Sequence, residues 1–212
     1  MIKIENITYQ YPRGAAPVLK DYSACFARGE ITAVSGRNGC GKTTLSKLIA
    51  GILRPQQGRI SIAGQDTGAL NLFEIGRLVG YVFQNPARQL FCETVYHEVA
   101  FGLVNLGLDQ EQVARQTGHY LDYFDLRAYC NDYPGKLSYG EKQRLALAAV
   151  LALGTEYLVL DEPTGGLDML RKRELGDMLL KLQQELGCGI MLISHDADFI
   201  ARYADRELVM AQ

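Results

Sequence analysis

Gly36-Arg37-Asn38-Gly39-Cys40-Gly41-Lys42-Thr43 carries glycines, a lysine and a hydroxyl at the spacing G-x-x-x-x-G-K-[ST]. The chemistry these types can do together is the grip of a polyphosphate. Glycines let successive backbone N–H groups converge on phosphate oxygens. A helix starting directly after such a loop adds partial positive charge at the same point. Lys42 supplies a full charge for the outer phosphates, and the Thr43 hydroxyl can ligate magnesium. Cys40 fills the loop as a small residue. The helix N-terminus and Lys42 favour its thiolate, so we expect it to react with thiol reagents.

A second chemical group stands at Leu158-Val159-Leu160-Asp161-Glu162, an apolar run that ends in two carboxylates. Ligand sites in parallel sheets lie beyond the carboxyl ends of strands. Asp161 fits the role of holding hydrated magnesium, directly or through water. Glu162 fits that of orienting or deprotonating an attacking water. A third group is Leu137-Ser138-Tyr139-Gly140-Glu141. Ser138 caps a helix start there, and Gly140 allows close backbone approach, making a second potential anion site.

These groups need elements to position them. Ile31 to Ser35 reads as a buried strand before the loop. Thr44 to Leu53, with Leu45, Leu48, Ile49 and Ile52 apolar, reads as the helix after it. Lys3 to Tyr11 reads as a strand with a bulge near Glu5-Asn6. Gly58 to Gly64 and Val79 to Phe83 are further strands. Helical spacing covers Thr94 to Leu106, Asp109 to Phe124 and Tyr139 to Leu153, with Gly154 placed to end the last. Tyr157 to Leu160 and Gly189 to Ile193 are strands bracketing a helix from Met169 to Leu186. Strand–helix–strand with unalternating apolar strands predicts a parallel sheet covered by helices. Residues 86 to 155 read as a helical insertion into that core.

Composition narrows the class. The 212 residues are 48% hydrophobic and 22% charged with a formal net charge of −2, so no basic bias points to nucleic acid. Cys25, Cys40, Cys92, Cys130 and Cys188 are scattered without a C-x-x-C pair, which argues for reduced thiols in a cytosolic compartment. Lys3 and Glu5 interrupt any apolar start, so no secretory leader is expected. The longest apolar run, Leu145 to Leu153, is far short of a membrane span.

Taken in order, the motifs resemble the nucleotide-binding domain of an ATP-binding cassette (ABC) ATPase over essentially the whole chain. The resemblance implies an α/β fold, with a P-loop NTPase (RecA-like) core and a mainly parallel sheet. An N-terminal antiparallel β subdomain and an inserted α-helical subdomain complete it, the core being 1–85 and 156–212 and the insertion 86–155. Gly36 to Thr43 corresponds to the Walker A loop, with Gly36, Asn38, Gly39, Cys40, Gly41, Lys42, Thr43 and Thr44 as the phosphate-binding set. Leu158 to Glu162 corresponds to Walker B plus the catalytic glutamate. Leu137 to Glu141 falls where the family has L-S-G-G-Q; Tyr139 replaces the first glycine and Glu141 the glutamine, while Gly140 is kept.

The same resemblance implies that Gln84 contacts magnesium and water and that His195, in Ile193-Ser194-His195-Asp196, contacts the γ-phosphate. Asp168, in Gly166-Leu167-Asp168, would reach across a dimer interface. Tyr11, before Pro12, would stack on adenine, as an aromatic face can. Cofactors are then ATP and Mg2+, with Thr43, Gln84 and Asp161 on the metal. The partner is a second ABC ATPase domain, whose Ser138 and Gly140 complete the site.

Val82 to Phe91 and Glu98 to Leu108 are similar to the ATPase subunits of energy-coupling factor transporters, importers of vitamins and of cobalt or nickel ions. In that group the Gln84–Phe91 region receives an integral membrane subunit, which places the ATPase on the cytoplasmic face of the membrane. Arg88, Leu90 and Phe91 are the contacts expected here. The alternatives are a non-transport ABC ATPase, or a nucleotide-gated interaction module with low turnover.

Overall fold

The computed structural model describes residues 1–12 and 16–210. The chain separates into two compact units, Met1–Tyr81 with Glu156–Gln212, and Val82–Thr155.

The first unit is built on two sheets. One is antiparallel, in the order β2 (Leu19–Phe26), β1 (Ile2–Tyr9), β4 (Gln57–Ile62), β5 (Gln65–Asp66). The bulge expected in β1 is present: its register against β2 shifts between Ile4 and Ile7, and Asn6 sits at φ 51°. That shift keeps Ile4 and Ile7 on the same buried face although they are an odd number of residues apart. The other sheet has the order β6 (Val79–Val82), β7 (Tyr157–Asp161), β8 (Gly189–Ile193), β3 (Ile31–Gly36), β9 (Arg206–Met210). β3 pairs in parallel with both β8 and β9, and β7 in parallel with β8. β8 is buried at all five positions and β7 at its first four, which is why neither alternates in sequence.

Helix α1 (Lys42–Ile49) follows β3, α2 (Leu72–Leu78) precedes β6, α6 (Met169–Leu186) joins β7 to β8, and α7 (Ala197–Tyr203) joins β8 to β9. One buried cluster links Ile2, Ile4 and Ile7 of β1 with Leu45 and Ile49 of α1 and with Val159 and Ile193 of the parallel sheet. Burial on this scale, at roughly 1.5–3 kcal/mol per large apolar side chain, fixes the orientation of β3 and α1 and so the loop between them. α1 differs from expectation. It begins at Lys42 and ends at Ile49, because Gly41 at φ 103° serves as its N-cap and Gly51 at φ 71° turns the chain away before Leu53.

The second unit is helical: α3 (Val95–Asn105), α4 (Gln110–Tyr123) and α5 (Tyr139–Leu151) pack on one another. Thr94 caps α3, and Asp109 with Gln112 forms a capping box on α4. The buried Glu98 carboxylate accepts the Phe91 and Cys92 N–H groups at 2.9 and 2.8 Å, holding the approach to α3. Among the described residues no helix is long and apolar enough to cross a membrane.

Candidate nucleotide site

The β3–α1 loop is a series of left-handed glycines, with Gly36 at φ 140°, Gly39 at 84° and Gly41 at 103°. A side chain at Gly36 would meet the Met210 carbonyl oxygen at 2.6 Å, and one at Gly41 would meet Leu19 at 3.0 Å. At Gly39 nothing among the described residues lies within 4 Å of where a side chain would stand, so they leave the loop open at that point. Lys42 is buried, and its Nζ donates to the Gly36 and Arg37 carbonyl oxygens at 2.8 and 3.1 Å. Its direct partners are neutral carbonyls, which leave the positive charge of the ammonium to act on a polyphosphate. Cys40 is 4% exposed. That burial corrects the expected reactivity, since reagents need access as well as thiolate.

Asp161, at the end of β7, is held from two sides. Thr43 Oγ1 donates to its Oδ1 at 3.3 Å, and the Tyr81 hydroxyl to its Oδ2 at 3.0 Å. Tyr81 also shares a 3.1 Å hydrogen bond with Ser46 Oγ, and Ser46 Oγ donates to the Thr43 carbonyl at 2.9 Å. Burial first, with the neighbouring Asp161 charge adding to it, pushes the Tyr81 phenol well above its usual range, so it stays a donor. Sequence reasoning missed Tyr81. The one signal was a tyrosine inside an apolar run.

Glu162 follows with φ 52°, a left-handed backbone for a residue that has a side chain. Its N–H donates to the Ile193 carbonyl at 3.0 Å, and its Oε1 lies 2.9 Å from His195 Nε2. Burial raises the Glu162 carboxyl above its usual range, against the lowering effect of His195 and Lys42. Glu162, Thr164, Gly166, Lys172 and His195 line an open cleft of about 510 Å³. Thr44 is buried in α1, and its hydroxyl shares a 3.2 Å hydrogen bond with that of Tyr11. The Tyr11 ring is 38% exposed and braced edge-on by Tyr9, centroids 5.0 Å apart.

The first unit thus gathers Tyr11, the Gly36–Thr44 loop, Asp161, Glu162 and His195. Asp168 caps α6 by accepting the Arg171 N–H at 2.9 Å, its side chain otherwise largely exposed. The second unit gathers the remaining three predicted residues. Ser138 caps α5 in a reciprocal box with Glu141, whose carboxylate accepts the Ser138 N–H at 2.7 Å. Among the described residues nothing lies within 4 Å of where a Gly140 side chain would stand. Gln84 is exposed, and its carbonyl accepts the Tyr139 hydroxyl at 2.8 Å.

The donor set suits a hard cation: a hydroxyl and a carboxylate at the mouth of a phosphate loop are oxygen ligands of the kind magnesium takes. Among the described residues no group of three or more His, Cys, Asp or Glu could hold a metal alone, so substrate phosphates and water would have to complete the shell.

An anion-binding loop between a parallel strand and a helix, with carboxylates at the neighbouring strand end and a helical unit inserted between strands, is the P-loop NTPase fold of ABC ATPases. The ABC transporter family profile matches residues 19–165, and the chain belongs to that family, as an ATP-binding ATPase subunit of a transporter. It is 42% identical over 212 residues to the energy-coupling factor transporter ATP-binding protein EcfA of Methanothermobacter thermautotrophicus, covering 99% of this chain and 68% of that protein. It is 38% identical to EcfA1 of Enterococcus faecalis, covering 100% and 76%. Other relatives carry only a general ABC transporter ATP-binding description. CbiO1 from Clostridium perfringens, described as part of the ABC transporter complex cbiONQ, superposes with TM-score 0.90 at 36% identity, covering 99% of this chain and 84% of that one. A dimeric ATP-binding cassette in a post-hydrolysis state with ADP and Pi superposes with TM-score 0.84 at 27% identity, covering 99% and 94%.

Proposed function

We propose that this chain energises an importer of the energy-coupling factor type, taking up a vitamin or a transition-metal ion. The observation that carries the reading is the Thr43–Asp161 pair at the mouth of the Lys42 loop, together with relatives named EcfA, EcfA1 and CbiO1. Thr43 and Asp161 would hold magnesium with Gln84, and the ion would neutralise charge on the outer phosphates. The loop N–H groups and Lys42 grip the triphosphate, and Tyr11 stacks on the adenine. Glu162 orients a water and accepts its proton. The water oxygen bonds to the γ-phosphorus as the bond to the bridging oxygen breaks, and His195 steadies the γ-phosphate. Ser138 and Gly140 of a second ATPase domain cover that phosphate, and Asp168 reaches across the same junction. The open space around Gly140 supports this, because among the described residues no neighbour within the chain requires a glycine there. The Gln84–Phe91 region receives a membrane subunit, which places the chain at the cytoplasmic face of the membrane.

The test is Glu162→Gln. It should lower turnover by roughly 10²–10⁴-fold and trap an ATP-bound dimer on gel filtration. A wild type without ATPase activity, alone or with a polytopic membrane protein encoded beside it, would favour a nucleotide-gated interaction module instead.

A further inference from the structure

Tyr139 is the first residue of α5 and follows the cap Ser138 directly. Its hydroxyl donates to the Gln84 carbonyl at 2.8 Å across 55 positions of sequence. That is the modal length for an O–H···O bond. The half-buried ring takes no part in the capping box, which Ser138 and Glu141 form between them.

The segment that Tyr139 holds is internally braced. The Phe83 N–H donates to Gln89 Oε1 at 3.2 Å, and Asn85 Oδ1 accepts the Ala87 N–H at 3.0 Å. The turn at Pro86–Arg88 packs on α5. A displacement of the Gln84 backbone is therefore passed to the first turn of α5 rather than absorbed locally. A glycine at 139 has no atom with which to make this bond.

We propose that Tyr139 is a positioning residue that couples Gln84 to Ser138 and Gly140 of the same chain. The proposal rests on the reading that Gln84 answers to the nucleotide of its own site while Ser138 and Gly140 serve the opposite one. Tyr139 then makes the state of one site felt at the other through a single hydroxyl.

The experiment compares the chain carrying Tyr139 with the Tyr139→Phe variant, both with Glu162 intact, with magnesium and a non-hydrolysable ATP analogue and at a dilution where light scattering shows monomers. Hydrogen–deuterium exchange is read at 36–44 and at 137–142. With Tyr139, nucleotide should slow exchange in both segments. In the Y139F variant, protection of 36–44 should persist and that of 137–142 should be lost, with an unchanged Tm. In the active chain Y139F should lower kcat roughly two- to tenfold, the value of one hydrogen bond, with KM unchanged. Equal protection of 137–142 in both proteins overturns the coupling. So does a lowered Tm with faster exchange throughout, which would mark a plain structural brace. Absence of protection at 36–44 even with Tyr139 would overturn the reading of the nucleotide site, and the coupling with it.

Discussion

His195 Nε2 stands 2.9 Å from Glu162 Oε1, so the residues just past β7 and β8 meet side chain to side chain. The imidazole attracts the carboxylate when protonated, and burial opposes the carboxylate's charge. Burial is the larger effect, and the Glu162 carboxyl titrates above its ordinary 4.5. A raised acid favours folding most below 4.5, and that contribution is lost as pH climbs through the raised value. On the proposed role of Glu162 as proton acceptor, turnover moves the other way, because the carboxyl must then be ionised. The acid limb of kcat/KM against pH should therefore lie above the ordinary glutamate range. His195→Ala removes a lowering influence and should shift the limb to higher pH. A limb that stayed in place would separate Glu162 from the proton transfer.

Tyr81 donates to Asp161 Oδ2 at 3.0 Å, opposite Thr43. Tyr81→Phe keeps the ring and its packing while removing this donor. A partner that orients a metal-binding carboxylate is worth roughly 10–100-fold in metal affinity, so the variant should need roughly 10- to 100-fold more magnesium for half-maximal ATPase. Magnesium titration of the variant checks this. An unchanged midpoint would remove Tyr81 from metal positioning.

Gly176 lies mid-helix in α6, where alanine would ordinarily stabilise by about 0.5–1 kcal/mol. Here a methyl group would meet the Tyr203 ring at 2.3 Å. The Tyr203 hydroxyl, bonded to the Arg173 carbonyl at 3.4 Å and to Asp177 Oδ1 at 3.3 Å, restrains the ring from moving aside. Overpacking of this kind costs about 1–3 kcal/mol, so Gly176→Ala should lower Tm despite its better helix propensity. A raised Tm on thermal melting would show that α7 yields.

Much of the site was legible because its chemistry lies in short windows. Gly36 to Thr43 declares itself in eight consecutive residues, and Asp161-Glu162 in two. The caps Thr94, Asp109, Ser138 and Asp168 precede helices that begin within a residue of expectation. β2 left no such trace, since only its end residues Leu19 and Phe26 are buried and the middle is largely open. α7 and β9 run for only 7 and 5 residues, too short for a period to declare itself. Tyr81 was illegible for another reason: its partners are 35 and 80 positions away, and its role exists only once β6 and β7 lie in one sheet.

Holding Glu162 at φ 52° costs the whole fold on the order of 1–3 kcal/mol, as for a left-handed residue that is not glycine. Glu162→Gly should therefore give a protein that melts higher and turns over roughly 10²–10⁴-fold more slowly. Durability and work oppose each other at a single backbone angle, and a melting curve measured beside an ATPase assay would read both sides of that opposition.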